Sequence, residues 1–384
     1  MADDNETLAR RAAAVLPRGN SRATIFVPPS PPYARRGEGA MITDADGRRV
    51  IDCNNNYTSL VHGHAHPAVV AAAVEAASHG SAFGLPTEQE IILAEQLNGR
   101  FDRPMRWRFA NSGTEAVMMA VRAARAFTGR ELVVRLRGAY HGTYDQLVGP
   151  GEPGVPQPAR EATIVIQQDD EEALCAAFRS NGERIAAVLL DLMPNRAGLR
   201  ELTRSFVSAA RREADAAGAL VIADEIITFR LGVGGLQESY GLEGDLTTLA
   251  KVIGGGFPVG AVGGRPDVMS VFDPSRPEPI HWGGTFNANP VTMAAGAAAL
   301  ALYGATEVEA LNKRGDALRE RLGEGGLDVT GRGSLLGLTL DSEAWWELYR
   351  RGVLVSPNGL VALSTAMTDE HLDTVASAIL AVLA

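Results

Sequence analysis

An apolar stretch that ends in a lysine and runs into glycines places a primary amine where surface lysines seldom sit: Leu246-Thr247-Thr248-Leu249-Ala250-Lys251, then Val252-Ile253-Gly254-Gly255-Gly256. Such an amine can form a Schiff base with an aldehyde. The plain alternative is a lysine whose stem lies along a strand end while its charge stays in water. A second apolar stretch, Val221-Ile222-Ala223, ends in Asp224-Glu225. Open α/β sheets bind ligands beyond the carboxyl ends of their strands. A carboxylate there can pair with a protonated ring nitrogen, or simply cap the next element. Asn111-Ser112-Gly113-Thr114-Glu115-Ala116 reads as a helix start. Its free N–H groups suit a phosphate, Ser112 and Thr114 add hydroxyls, and Gly113 lets backbone approach; Ser112 is equally an ordinary N-cap. In Arg137-Gly138-Ala139-Tyr140-His141-Gly142, an aromatic just after a strand can stack on a planar cofactor or merely pack. Gly283-Gly284-Thr285-Phe286-Asn287-Ala288-Asn289-Pro290 is a polar, glycine-rich loop before a helix, an anion site or a turn.

Taken in chain order, these are a phosphate cradle, a stacking ring, an acid, a lysine and a second hydroxyl loop. Pyridoxal 5'-phosphate (PLP) needs that set: an anchor for its phosphate, a cover for its ring, an acid for its nitrogen and an amine for its aldehyde. Residues 254–260 lack the G-x-G-x-x-G spacing of a dinucleotide site. His62, His64 and His66 alternate, but no acid or cysteine with ligand spacing accompanies them, so no metal is expected.

The elements that must position these residues alternate. Strands are expected at 132–136, 163–166, 185–190, 220–223 and 246–250, with helices at 67–79, 88–97, 113–127 and 202–217. Apolar strands between helices predict an α/β fold with a mostly parallel sheet covered on both faces. A hairpin is expected over 39–52, turning at Asp44-Ala45-Asp46-Gly47. After Asn289-Pro290 the chain reads as helices near 291–303, 306–322, 343–351 and 368–383, with a strand pair near 337–340 and 353–361 between them. The expected organisation is an N-terminal segment 1–62, a large domain 63–295 and a small α+β domain completed by 296–384.

A net charge of −10 argues against nucleic acid or an anionic membrane as partner. Two cysteines, Cys53 and Cys175, imply no disulfide framework and fit a reducing, cytoplasmic setting. The N-terminal Met1-Ala2-Asp3-Asp4 carries no apolar signal core, and no apolar run approaches the roughly 20 residues that span a bilayer.

The chain resembles the class III aminotransferases, on the glutamate-1-semialdehyde aminomutase-like branch. The resemblance rests on Gly63-His64-Ala65-His66-Pro67, on the stretches at 111–116, 138–142, 224–230, 246–262 and 283–295, and on Ala362-Leu363-Ser364-Thr365-Ala366-Met367-Thr368. It implies PLP-dependent transferase fold type I, with a large sheet of the seven-stranded type and a smaller domain built from both chain ends. It also implies that Lys251 is the Schiff-base lysine, Asp224 the partner of the pyridine nitrogen and Tyr140 the stacking aromatic, with His141 beside it. Gly113 and Thr114 would bind the phosphate, with Ser112 adjacent. Thr285 would reach the cofactor of the neighbouring subunit in a homodimer. Catalysis would fall to Lys251, Asp224 and Tyr140.

Relatives carry an arginine or serine facing substrate near Asn20-Ser21-Arg22. Arg22 is therefore a candidate for pairing with a substrate carboxylate, or a solvated member of a basic segment with Arg18, Arg35 and Arg36. Asn55 and Tyr57 are candidates for lining the same pocket, or parts of a plain loop. The expected activity is transfer of an amino group between an amino acid or amino-carbonyl donor and a keto-acid acceptor. An aminomutase or a racemase (epimerase) would use the same residues.

Overall fold

The computed structural model describes residues 3–149 and 151–384; Met1 and Ala2 lie outside the described residues. The chain divides into two compact units, Met1–Val70 with Glu309–Ala384, and Ala71–Val308. The boundaries expected at 63 and 296 shift to 71 and 309, and the whole helix Pro290–Ala301 belongs to the larger unit.

The smaller unit opens with β1 (Ala34–Glu38), β2 (Met41–Asp44) and β3 (Arg49–Asp52), paired antiparallel in sequence order. The expected turn forms because Asp44 Oδ1 accepts from the amides of Asp46 (3.0 Å) and Arg48 (2.8 Å). Gly47 supplies the left-handed residue at φ 84°.

The larger unit holds β4 (Arg106–Ala110), β5 (Leu132–Leu136), β6 (Thr163–Ile166), β7 (Ile185–Leu190), β8 (Leu220–Asp224), β9 (Leu246–Ala250) and β10 (Gly260–Gly264). Their order in one sheet is β4-β10-β9-β8-β7-β5-β6. The five expected strands run parallel to one another, and each of β5, β7, β8 and β9 is buried at every residue, as a doubly covered sheet requires. The two strands that sequence reading passed over, β4 and β10, add antiparallel at one side. Neither reads as an apolar run: β4 is Arg-Trp-Arg-Phe-Ala and β10 is Gly-Ala-Val-Gly-Gly.

The helix Gly113–Thr128 lies on this sheet through a face of Ala116, Val117, Ala120, Val121 and Ala124. It stops at Gly129, left-handed at φ 70°. Among the described residues no single helix is long and apolar enough to cross a membrane.

The remaining strands return to the smaller unit: β11 (Thr330–Arg332), β12 (Leu335–Gly337), β13 (Val353–Leu354) and β14 (Leu360–Ala362). Here the expected pairing of 337–340 with 353–361 is corrected. β12 sits between β11 and β14 in a three-stranded sheet, while β13 joins β3 in parallel. The segment 353–361 is two strands separated by a turn at Pro357-Asn358-Gly359, and each serves a different sheet.

One buried acid just beyond β8 ties down the chain that follows. Glu225 accepts from Thr228 Oγ1 (2.5 Å) and from the amides of Leu236 (3.0 Å) and Gln237 (2.6 Å). Gly235, at φ 90°, leaves no room for a Cβ, which would lie 2.6 Å from the Glu225 carboxyl carbon. Burial outweighs these donors and raises the carboxyl from its usual 4.5 to about 7. The folded state therefore binds more protons than the unfolded chain between those values, and stability falls as pH rises through that window. By linkage the loss is on the order of 3 kcal/mol. Urea unfolding from pH 4.5 to 7.5 should show that loss in the wild type and not in Glu225→Gln; parallel curves would refute the assignment.

Candidate active site

Asp224 closes β8, and its side chain is almost wholly buried. Its Oδ2 accepts from His141 Nδ1 at 2.6 Å. Its Oδ1 accepts from Thr248 Oγ1 and from the amide of Ile226, each at 3.2 Å. His141 comes from the loop after β5 and Thr248 from β9, so the sheet order brings three separated segments to one carboxylate. His141 is fully buried, and its Nε2 has no partner among the described residues.

β7 contributes a second acid at the same level. Leu190 pairs with Ala223, so Asp191 and Asp224 follow side by side on adjacent parallel strands. Burial first, then the neighbouring Asp224, hold the Asp191 carboxyl well above the usual carboxylate range. Asp191 was open to sequence reading by the same signal as Asp224, an acid ending an apolar strand.

Lys251 follows β9 directly and is half-buried. It adopts φ 55°, a left-handed conformation uncommon for a residue with a side chain. Close packing fixes that turn. A Cβ on Gly296, in the helix Pro290–Ala301, would lie 2.1 Å from the Ile253 carbonyl oxygen. The glycine thus lets the helix seat on the backbone of the lysine's own turn.

At the helix Gly113–Thr128, Ser112 accepts from Glu115 N (3.2 Å) and donates to Glu115 Oε2 (3.1 Å), which also accepts from Asn111 N (2.8 Å). The cap occupies the Ser112 hydroxyl. The amides of Gly113 and Thr114, in the first turn of a 16-residue helix, have no i−4 carbonyl inside it. Gly142 crosses over this end at φ 93°, where a Cβ would lie 2.4 Å from Thr114 Oγ1. Ile226 packs on Gly113 from the β8 side, a contact no sequence pattern announced.

Tyr140 is partly exposed, and the Arg196 guanidinium lies 3.8 Å from its ring centroid. The loops after β5 and β7 touch there: a Cβ on Gly138 would meet that of Ala197 at 3.2 Å. Thr285 is exposed, in a loop that shares a concavity with residues 82–87. Asn287 in that loop accepts from Asn111 Nδ2 at 2.7 Å. Phe83, Leu85, Ile91 and Phe286 leave large apolar side chains exposed in the same unit.

The candidate substrate residues belong to the smaller unit. Arg22 donates through Nη1 to Asn56 Oδ1 at 2.6 Å, and the Tyr57 hydroxyl donates to the Thr24 carbonyl. Asn55 is fully buried and donates through Nδ2 to the Ala362 carbonyl at 2.6 Å, so the exposed amide of this turn is that of Asn56. Of the alternating histidines, His64 Nε2 lies 2.7 Å from Asp52 Oδ2 and His62 Nδ1 lies 3.0 Å from Thr365 Oγ1. Among the described residues no group of three potential ligands is arranged for a metal.

A family model for class III aminotransferases matches residues 27–383. The glutamate-1-semialdehyde 2,1-aminomutase of Aeropyrum pernix is 36% identical over 95% of this chain and 94% of its own. Among solved structures, an omega-transaminase from Sphaerobacter thermophilus superposes with a TM-score of 0.94 at 39% identity, covering 99% of this chain and 97% of its own. A β-phenylalanine aminotransferase from Variovorax paradoxus does so with a TM-score of 0.91 at 37% identity, covering 98% and 93%.

The His141–Asp224 pair makes a prediction that needs no ligand. His141→Leu leaves Asp224 Oδ2 buried without that donor. A lost hydrogen bond to a buried carboxylate costs about 2 kcal/mol. Urea unfolding of cofactor-free protein should show that loss; a change below roughly 0.5 kcal/mol would mean the bond does not hold the acid.

Proposed function

Since the chain belongs to the class III aminotransferases, a PLP-dependent family, we propose that it moves an amino group from an amine donor bearing a carboxylate to a carbonyl acceptor. The observation that carries transfer between two molecules is the likeness to the omega-transaminase along almost the full length of both chains. The curated relative named an aminomutase supports a second reading, rearrangement within one molecule.

The residues fit PLP. A buried carboxylate with fixed donors stands at a strand tip, a lysine leaves the next strand in a held turn, and a helix end lies under a glycine that leaves space over Thr114. When bound, PLP supplies an aldehyde for amines and a ring that withdraws electrons from the neighbouring carbon. Asp224 keeps a proton on the ring nitrogen. His141, Thr248 and the Ile226 amide hold that carboxylate in orientation. The amides of Gly113 and Thr114 and the Thr114 hydroxyl bind the phosphate, with Ser112 organising the turn. Tyr140 covers the ring, and Arg196 steadies Tyr140 from one face. Lys251 anchors the cofactor covalently. With a donor amine bound, Lys251 Nζ would serve as the base and acid that moves a proton at the donor's amine-bearing carbon. Arg22 pairs with the donor carboxylate, and Tyr57 borders it. We assign Thr285 to the phosphate of a second copy's cofactor in a homodimer. The exposed Phe83, Leu85, Ile91 and Phe286 support this, since large exposed apolar surface marks an interface.

The test is a panel of amines and amino acids incubated with pyruvate or 2-oxoglutarate. Net appearance of the acceptor's amino acid, with one carbonyl product per turnover, is expected. Isomerisation without acceptor would move the chain to the aminomutase reading. Lys251→Ala should lower turnover by roughly a thousandfold or more, the scale seen when a nucleophile or base is removed; full turnover in that variant would end the assignment.

The phosphate cradle has its own check. Gly142→Ala drives a methyl into Thr114 Oγ1 and strains a left-handed residue. Titration with PLP should give a dissociation constant raised about tenfold or more, the equivalent of one weakened phosphate contact. Unchanged affinity would place the phosphate elsewhere.

A further inference from the structure

Four consecutive residues with side chains, Asn55, Asn56, Tyr57 and Thr58, are left-handed, with φ of 49°, 49°, 53° and 76°. Such a turn is disfavoured at each residue, and it persists only where the surroundings dictate it. They do so here. Asp52 Oδ1 accepts from the amides of Asn54 and Asn55, both at 2.9 Å. Asn54 Oδ1 accepts from Tyr57 N at 2.5 Å. Asn55 is locked inside by its bond to the Ala362 carbonyl.

The product of this strained turn is the placement of one exposed amide. Asn56 Nδ2 donates to Ser59 Oγ at 3.2 Å, which directs Oδ1 toward Arg22 Nη1 at 2.6 Å. On the facing segment, the Arg22 amide donates to Asn20 Oδ1 at 2.8 Å. The Tyr57 hydroxyl donates to the Thr24 carbonyl, a second bond joining the two segments beside the guanidinium's own. Among the described residues no acid pairs with Arg22. A neutral amide orients a guanidinium without cancelling its charge, and leaves N–H donors for a planar, bidentate anion.

We infer that Asn56 is a positioning residue that orients Arg22 for the carboxylate of the amino donor, and that the left-handed turn 55–58 is the device that holds it. This rests on the reading of Arg22 given above. An aspartate at 56 would compete with the substrate for Arg22. A glycine would keep the left-handed backbone at no steric cost and remove only the amide.

The experiment compares the best amino-acid donor of the panel with its decarboxylated amine, using holoenzyme of the wild type, Arg22→Ala, Asn56→Gly and Asn56→Asp. Asn56→Gly should raise KM for the amino acid about tenfold while changing kcat less than about threefold, and leave KM for the amine unchanged. Asn56→Asp should raise the amino-acid KM further. Asn56→Gly combined with Arg22→Ala should be no worse than Arg22→Ala alone, because the amide acts only through the guanidinium. If Arg22→Ala raises the amino-acid KM and Asn56→Gly does not, the inference is overturned and the carboxylate role of Arg22 stands. If Asn56→Gly raises KM for both donors alike, the turn is merely structural and the inference fails. If Arg22→Ala is silent, or no amino acid is turned over, the reading of Arg22 falls and takes the inference with it.

Discussion

A carboxyl group buried at the tip of β8 is the constraint around which the larger unit is arranged. A carboxylate removed from water is tolerable only with fixed hydrogen-bond donors or an opposite charge. Asp224 draws those donors from three places distant in sequence: His141 after β5, Thr248 within β9 and the amide of Ile226 just beyond β8. Only the order of strands in the sheet brings them together. The fully buried histidine would otherwise be a poor choice for a core position. Its burial makes sense as the counterpart of the acid, since its Nδ1 donates to the carboxylate, although Nε2 has no partner among the described residues.

The second requirement is close approach of backbones. The lysine turn and the helix end must both reach the rim of the sheet, and glycine permits each contact. A Cβ on Gly260 would lie 2.0 Å from the Ser112 carbonyl oxygen, so β10 passes directly under the helix start. Gly296 lets a helix sit on the turn that carries Lys251. With the turn wedged in this way, the left-handed Lys251 is held rather than sampled. Strain of that kind costs on the order of 1–3 kcal/mol, an amount the surrounding packing must offset.

Much of this was legible in the sequence, and the remainder was hidden for physical reasons. Buried parallel strands are written as apolar runs, so β5 to β9 stand out, and the residues just past them are candidates for the site. Ser112-Gly113-Thr114 shows its helix start by composition. Edge additions carry no such signature. β10 is mostly glycine because the Ser112 backbone and the Trp107 ring lie against it, and glycine argues against a strand when read alone. β14 pairs with nearby β12, whereas β13 pairs with β3 near the other end of the chain, a long-range choice that no local pattern records. In the turn 54–57, polarity suggested pocket lining. It did not reveal that Asn55 points inward and Asn56 outward, because that follows from a left-handed backbone enforced by Asp52 and Asn54.

The neighbouring acid Asp191 bears on how the site distributes charge. Parallel register sets it beside Asp224, and two adjacent buried carboxylates cannot both remain ionised at low cost. Their surroundings are unequal. Asp224 receives a histidine, a hydroxyl and an amide, whereas Asp191 receives the Met193 amide at 3.1 Å. Hydrogen-bond donors are thus concentrated on Asp224, while burial and the neighbouring Asp224 raise the Asp191 carboxyl. Under the proposed function, a ring nitrogen at this rim would face the carboxyl group whose orientation three donors already fix. A raised Asp191 carboxyl also limits the cost of placing two acids side by side inside the sheet.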